Sequence, residues 1–263
     1  MSPPLAGPHV VTLPFADRRI LVAGAAKGIG RATVARLAAE GAAVAALDRD
    51  AAALADLAAA LPGNALVTVV ADVTDTAAVQ SAVAEAASRL GGLDGLVNAA
   101  GIDLVAPIGA MSPADWARVM AVNLTGPMTV MQAAWPHLAA AGGATIVNVS
   151  SAAGLAPLKH RTAYCASKAG LQMASKALAL EAAGFGIRVN VVCPGAVDTD
   201  LFRSSLDGAA DPEAALEAVK ARYALERIAS PDEIAAAIVW LSGPDSSFVT
   251  GIAMAVDGGR SFH

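Results

Sequence analysis

The sequence predicts an α/β fold in which a doubly wound parallel sheet of seven strands is covered by helices on both faces. Short apolar runs alternate along the chain with Ala-rich stretches of helical character, which is typical of doubly wound sheets. Most of these runs are apolar throughout, as expected for parallel strands that are buried on both faces. The length of 263 residues suits a single domain of this kind.

The individual elements follow from the apolar period and from the residues that flank each run. Asp75 and Ser112 are predicted N-caps, Pro113 takes the first helical position, and Asp232 and Glu233 suit the first turn of the last helix. The predicted strands are 19–23, 43–47, 66–71, 95–98, 144–150, 187–193 and 252–256. The predicted helices are approximately 28–40, 50–60, 75–90, 113–140, 161–184 and 231–242.

Two segments differ from the rest of the predicted domain. Residues 1–16 contain four prolines and no apolar period, so we expect a loosely ordered N-terminal extension ahead of one domain that spans 17–263. The stretch 199–223 contains Asp, Ser and Gly around a short helical segment. Long connections in compact domains tend to be lids or binding loops, and we therefore predict a mobile lid there.

The composition argues against several classes of protein. The net charge is −5 and the longest basic run is 159–161, which disfavours nucleic acid as a partner. Cys165 and Cys193 have neither CxxC nor metal-ligand spacing, so no metal site is expected. No stretch approaches the ~20 apolar residues that a membrane span needs, and the N-terminus lacks the pattern of a signal peptide. We expect a cytoplasmic protein with no membrane partner.

A glycine-rich loop follows the first predicted strand and opens a helix. Gly24, Gly28 and Gly30 allow the backbone to turn tightly and to approach a pyrophosphate, while the helix N-terminus supplies N–H groups. Asp48 ends the second strand, where a carboxylate can accept hydrogen bonds from a ribose hydroxyl. Loop and carboxylate together favour dinucleotide binding over a simple glycine-rich turn.

Tyr164 and Lys168 are four residues apart in a predicted helix and therefore share one face. A phenol has a pKa of ~10, and a nearby ammonium favours its ionised form, so the pair suits proton transfer between an alcohol and a carbonyl. Ser151 follows another strand at the edge where ligands bind in open α/β sheets. Asn123, inside a predicted helix, needs a partner if it is buried. Further polar or flexible residues fall at the same edge: Asn98, Gly101, Pro194 and Gly195.

In this order, the motifs resemble those of the short-chain dehydrogenase/reductase family of Rossmann-type oxidoreductases, over essentially the whole chain beyond residue 17. The resemblance implies that Tyr164 is the general acid–base and that Ser151 orients the substrate oxygen. Lys168 would bind the nicotinamide ribose and lower the pKa of Tyr164, and Asn123 would hold a water in a proton relay. The implied cofactor-binding residues are Gly24, Lys27, Gly28, Ile29, Gly30, Asp48, Asp72, Val73, Asn98, Ala99, Gly101, Tyr164, Lys168, Pro194, Gly195, Val197 and Thr199.

The residues around the second strand bear on the choice between NAD and NADP. Asp48 favours NAD, because a carboxylate that binds the ribose would repel a 2′-phosphate. Lys27 and Arg49 stand where family members that use NADP often carry basic residues. We predict NAD and keep an NADP-dependent ketoreductase as the alternative.

The substrate is predicted to be a small, largely apolar or cyclic secondary alcohol or ketone. His160 and Arg161 suit a substrate carboxylate, although a solvated loop is the simpler interpretation. A catalytically idle nucleotide-binding or scaffold protein on the same fold is the alternative from another class. Candidate substrate contacts are Ser151, Ala153, His160, Tyr164, Leu201 and Phe202, and further pocket positions are Ile102, Asp103, Leu104, Ala152, Leu158 and Ala196.

The resemblance also implies a homotetramer. Helices 113–140 and 161–184 are rich in Ala, and in the family these two helices pair across a dyad into a four-helix bundle. Closed symmetry of this kind is the norm for soluble oligomers.

Overall fold

The computed structural model describes residues 13–63, 65–206 and 211–262. The seven strands of this part of the chain are β1 (Arg19–Ala23), β2 (Ala43–Asp48), β3 (Leu66–Val70), β4 (Gly95–Asn98), β5 (Thr145–Val149), β6 (Arg188–Pro194) and β7 (Ala253–Val256). They form one sheet in the order β3-β2-β1-β4-β5-β6-β7, and all neighbouring strands are parallel. The predicted fold class is confirmed, and the predicted strand ends differ from the observed ones by at most one residue.

Helices connect the strands throughout the described chain. They are α1 (Gly28–Ala39), α2 (Ala51–Ala60), α3 (Thr76–Leu90), α4 (Pro113–Met120), α5 (Gly126–Ala140), α6 (Thr162–Ala182), α7 (Asp200–Ser204), α8 (Pro212–Lys220) and α9 (Pro231–Ser242). The predicted caps are confirmed. Asp75 accepts from the Ala78 N–H, and Ser112 forms a capping box with Asp115.

The core has two layers, one on each face of the sheet. Alternate residues of β1 enter different layers: Leu21 lies in one, Ile20 and Val22 in the other. Helices α3, α5 and α6 contribute to the first layer, whereas α1, α2 and α9 contribute to the second. This double coverage explains why the strands are apolar along their whole length.

The predicted helix 113–140 is not one regular helix. A π-helical turn, Ala121–Thr125, separates α4 from α5. Asn123 lies in this turn, and its side chain bonds to the main chain of Ile102 rather than to its own helix. Single π-turns of this kind occur frequently at functional sites, and this one directs Asn123 towards the edge where β4 ends.

The two segments set apart by the sequence are described only in part. Residues 1–12 lie outside the described residues, while Phe15 is buried and its N–H donates to the Glu40 carbonyl at 3.0 Å. Residues 207–210 of the predicted lid also lie outside them, and α7 and α8 flank that gap. The mobility of the lid stays a prediction. In the three described ranges, no helix has the length and apolar character that crossing a bilayer requires.

Candidate active site

A cavity of about 540 Å³ opens at the edge of the sheet where β4, β5 and β6 end. Parallel sheets bind ligands at this edge because the loops that follow the strands converge there. The structure therefore brings together most of the predicted site. The predicted residues that line the cavity are Ile29, Ala99, Gly101, Ser151, Ala153, Tyr164, Lys168, Pro194, Gly195, Val197, Thr199, Leu201 and Phe202.

Ser151, Tyr164 and Lys168 lie together on the cavity wall. The Ser151 hydroxyl accepts the Ala153 N–H at 3.1 Å and lies near the Tyr164 hydroxyl, whose pKa it lowers. Lys168, only 4% exposed, donates from Nζ to the Val149 carbonyl at 2.9 Å. Its Nζ lies 5.9 Å from the centre of the Tyr164 ring. The ends of β5 and the first turns of α6 thus fix all three side chains.

Burial controls the ionisation of this group. It raises the pKa of Tyr164 to about 12, against the opposing effect of the nearby Ser151 hydroxyl. Burial also lowers the pKa of Lys168 to about 8. In the protein alone the pKa of Tyr164 is therefore raised, because the loss of water around the phenol outweighs the effects that lower it. The lowering of this pKa by Lys168 stays a prediction.

Asn123 connects the loop after β4 to the helix that carries the tyrosine. Its Oδ1 accepts the Ile102 N–H at 2.8 Å, and its Nδ2 donates to the Ile102 carbonyl at 2.9 Å and to Ser167 Oγ at 3.2 Å. The Ser167 hydroxyl in turn donates to the Tyr164 carbonyl at 2.8 Å. The observed role of this side chain is to fix the loop against α6, and its part in a water relay stays a prediction.

The glycine loop fits the pyrophosphate of a dinucleotide. Gly24 and Gly28 have φ angles of 77° and 52°, which favour glycine. A side chain at Gly30 would collide with the Gly24 carbonyl. No side chain among the described residues caps the start of α1, so its first N–H groups can bind an anion.

At the adenosine end of the site, beside β2, the charged side chains form ion pairs and hydrogen bonds with their neighbours. Asp48 Oδ2 accepts the Ala26 N–H at 3.0 Å, which ties β2 to the glycine loop. Lys27 pairs with Asp50 at 2.8 Å and Arg49 with Asp72 at 3.4 Å. Both basic side chains that bear on the choice of cofactor are therefore engaged with carboxylates.

Several predicted residues lie elsewhere than the cavity wall, among them Asn98, Val73 and His160. Asn98 is buried and donates to Asn148 Oδ1 at 2.9 Å, which joins β4 to β5. Val73 is buried beside Gly126 of α5. His160 is exposed and is not a lining residue, while its neighbour Arg161 lines the cavity and pairs with Asp103 at 2.7 Å.

The sequence analysis missed the part of the cavity wall that α8 and the C-terminal segment provide. Ala215, Ala218 and Arg222 recur at helical spacing and line the cavity, and this spacing was the one available signal. Tyr223 also lines it, and the absence of a side chain at Gly195 makes room for its ring. Arg260, which follows β7 in the chain, also lines the cavity, and no local sequence motif predicts this position.

Comparison with known proteins agrees with this arrangement. A family model described as enoyl-(acyl carrier protein) reductase matches residues 24–261. D-threitol dehydrogenase of Mycolicibacterium smegmatis is 41% identical over 241 residues, which cover 91% of each chain. Inactive 2-(S)-hydroxypropyl-CoM dehydrogenase 2 of Xanthobacter autotrophicus is 44% identical over 223 residues, 84% of this chain and 96% of that protein.

A solved structure supports the same relationship. The crystal structure of levodione reductase superposes with a TM-score of 0.91 and 31% identity, and covers 94% of this chain and 98% of that one. The curated relatives include alcohol and polyol dehydrogenases. The chain therefore belongs to the short-chain dehydrogenase/reductase family, whose members use nicotinamide dinucleotides, and it is an oxidoreductase of the kind that interconverts alcohols and ketones.

Proposed function

We propose that this protein transfers a hydride between NAD(H) and a small, largely apolar or cyclic secondary alcohol or ketone. The observation that carries the proposal is the position of two hydroxyls, those of Ser151 and Tyr164, on one cavity wall with Lys168 buried beside them. One hydroxyl can hold the substrate oxygen while the other exchanges its proton.

In the oxidation direction, Tyr164 accepts the proton of the substrate hydroxyl in its ionised form. This requires that the bound cofactor and Lys168 lower the pKa of about 12 that the phenol has in the protein alone. Ser151 donates a hydrogen bond to the same substrate oxygen and fixes its position. Lys168 is an ammonium at neutral pH, since its pKa is about 8, and its charge stabilises the phenolate. The nicotinamide ring, when bound, supplies the acceptor for the hydride from the carbinol carbon.

The preference for NAD rests on Asp48. Its Oδ1 accepts the Asp50 N–H at 3.0 Å and its Oδ2 accepts the Ala26 N–H, so the carboxylate cannot turn away from the ribose without losing both bonds. Lys27 and Arg49 are paired with Asp50 and Asp72, and their charges are partly neutralised. This arrangement supports NAD over NADP.

The proposed substrate class rests on the apolar and small side chains of the cavity. Ala152, Ala153, Val197, Leu201 and Phe202 all line it. A cavity of about 540 Å³ is within the usual range of small-molecule sites, roughly 300–1,000 Å³. The same wall includes Ile29, Gly195 and Thr199, which are assigned to the cofactor, so the nicotinamide takes part of this volume when it is bound. The composition and the smaller remaining space favour a compact cyclic alcohol.

The test is a panel of neutral secondary alcohols with each cofactor, followed by the absorbance of the reduced nicotinamide. We expect turnover with NAD for at least one cyclic member. Higher efficiency with NADP would support the ketoreductase alternative. If calorimetry shows that NAD binds but no alcohol is turned over, the protein is a catalytically idle nucleotide-binding protein. This alternative is tested because one relative is named as inactive.

We also infer that the protein is a cytoplasmic homotetramer. The outer face of α6 leaves Met173 and Leu180 exposed by 66% and 83%, and exposed apolar groups of this kind are typical of interfaces. Light scattering should give about four times the chain mass of 26.1 kDa. A particle with the mass of one chain would contradict the tetramer.

A further inference from the structure

Arg260 lies in the wall of the substrate cavity, and its guanidinium has no ion pair within residues 13–63, 65–206 and 211–262. Its Nη2 donates to the carbonyls of Ala156 and Pro157 at 3.0 and 3.2 Å. Its Nη1 is buried and has no hydrogen-bond partner among the described residues. Asp257 is close in sequence, but its two carboxylate oxygens accept the N–H groups of Gly259 and Ser261. A buried donor without an acceptor is costly, above all on a charged group.

A second unpaired guanidinium lies at the same cavity. Arg222 follows α8 on the exposed lip and has no ion pair within the described chain. The neighbouring basic residues are different, since Lys220 pairs with Glu217 at 2.6 Å and Arg227 with Glu233 at 2.7 Å. The cavity therefore holds positive charge that the surrounding surface does not neutralise.

Tyr223 lies near both arginines on the cavity wall. Its hydroxyl oxygen accepts the Ala196 N–H at 2.8 Å, which leaves the phenol proton available as a donor. Burial raises the pKa of Tyr223, and the charges of Arg260 and Arg222 both oppose that rise. Both guanidinium groups thus act on the same hydroxyl.

The two residues that the sequence offered for a substrate carboxylate are less suitable. His160 is exposed and does not line the cavity. Arg161 lines it, but Asp103 at 2.7 Å already compensates its charge. Of the cavity-lining groups that are described, Arg260, Arg222 and Tyr223 are the better recognition set for an anion.

We propose that the substrate carries an anionic oxygen group, in the simplest case a carboxylate, which binds Arg260, Arg222 and the Tyr223 hydroxyl while its carbinol lies at Ser151 and Tyr164. This inference rests on the proposed function, whose substrate it makes more specific. The ring or chain between the two groups lies along the apolar part of the wall. Guanidinium groups suit this role because they bind carboxylates through charge-assisted hydrogen bonds.

The test compares two ligands that differ only in charge. Cyclohexanecarboxylate and cyclohexanecarboxamide have no hydroxyl, so their binding can be measured without turnover, by calorimetry on the full-length protein with NAD present. We expect the carboxylate to bind at least about tenfold more tightly than the amide, as for one charge-assisted contact. Arg260→Gln and Arg222→Gln should each reduce that ratio, and Arg260→Lys should retain part of it.

Controls separate the site from a general charge effect or from misfolding. Arg89→Gln removes an exposed arginine that pairs with Glu85 away from the cavity, and it should leave the ratio unchanged. Thermal unfolding checks that each variant is folded. If Arg260→Gln does not fold, because two carbonyls lose their donor, Arg222→Gln and Arg260→Lys still test the proposal.

Equal affinity for the two ligands, or a preference that survives in all cavity variants, would overturn the anion site. Oxidation of cyclohexanol is measured in parallel on the wild type. If cyclohexanol is oxidised while the ligands bind equally, the proposed function stands and this inference fails. If the carboxylate preference is present and neither cyclohexanol nor 4-hydroxycyclohexanecarboxylate is oxidised, the site stands and the proposed function fails.

Discussion

The two ends of the crevice are built in different ways. At the catalytic end, Asn123, Ser151 and Lys168 are at most 8% exposed, and their partners are hydrogen-bonding groups of other elements. At the adenosine end, Lys27 and Arg49 have side chains that are 61% and 70% exposed, and each pairs with a carboxylate. Substitution of a buried group without surrounding water changes the local interaction energies strongly, whereas solvent and salt screen the charge of an exposed group.

We therefore expect the buried end to govern the chemical step and the exposed end to govern the choice between NAD and NADP. Substitutions at the buried end should change rate or stability by large factors, because no solvent can replace a lost group. Substitutions at the exposed end should shift the ratio of NAD to NADP use by smaller factors while the chemical step stays intact.

Tyr164→Phe should reduce kcat by ~10²–10⁴-fold, the usual effect of losing a general acid–base. Affinity for NAD should stay near that of the wild type, because the exchanged proton, not the dinucleotide, is the target of the phenol. Steady-state kinetics and calorimetry check both statements, and a rate within about tenfold of the wild type would rule out this mechanism.

Titration of the tyrosines tests how strongly burial acts on the phenol. The chain has two tyrosines, and burial raises the pKa of both, that of Tyr164 to about 12. The folded protein without cofactor should therefore show little phenolate absorbance at pH ~10, where a free phenol is half ionised. Circular dichroism shows whether the protein is still folded. An absorbance step near pH ~10 that Tyr164→Phe abolishes would contradict the effect of burial.

Lys168→Met should abolish most activity and stabilise the protein without cofactor. The pKa of Lys168 falls from 10.5 to about 8 on burial, and this shift costs about 3 kcal/mol, at about 1.4 kcal/mol for each unit. Val149 loses the donor to its carbonyl in the variant, which costs roughly 1–3 kcal/mol. We expect a net gain of about 1 kcal/mol in the free energy of unfolding at neutral pH.

The pH dependence of the free energy of unfolding shows whether the charge of Lys168 causes this difference in stability. Below a pH of about 8 both states of the wild type carry the ammonium, so the folded state bears the full cost. As the pH rises towards 10.5, the folded state loses its proton first and the cost disappears. The advantage of Lys168→Met in urea unfolding should therefore shrink at high pH. An advantage that is constant with pH would mean that packing, not charge, separates the two proteins.

Features of this molecule that depend on local sequence pattern could be predicted, whereas features that depend on tertiary packing could not. The strands, the N-caps and the motif residues were predictable because each depends on local pattern or on a known order along the chain. The π-turn at Asn123 was not, since its cause is a bond to Ile102 across the fold. Arg260 and Tyr223 were missed because tertiary packing alone brings them to the cavity.

The smallest predicted effects concern two neighbouring carboxylates, Asp48 and Asp50. Asp48→Ser removes the charge that repels a 2′-phosphate, so the ratio of kcat/KM for NAD to that for NADP should fall at least about tenfold. Asp50→Asn should have a smaller effect. The amide oxygen can still cap α2 by accepting the Ala53 N–H, but Lys27 loses its partner at 2.8 Å and becomes available to the phosphate.

For Asp50→Asn we expect NADP efficiency to rise by up to about fivefold with NAD efficiency nearly constant, since exposed pairs hold side chains only weakly. Asp75→Asn is the matched control, because Asp75 also caps a helix by accepting an N–H, that of Ala78, and lies on no part of the described cavity wall. The kinetics are measured at low salt so that the charge effect is not screened. A wild type that already prefers NADP would refute the role of Asp48. Equal changes with both cofactors in Asp50→Asn would mean that Lys27 acts on the pyrophosphate, which the two cofactors share, and not on the 2′ position.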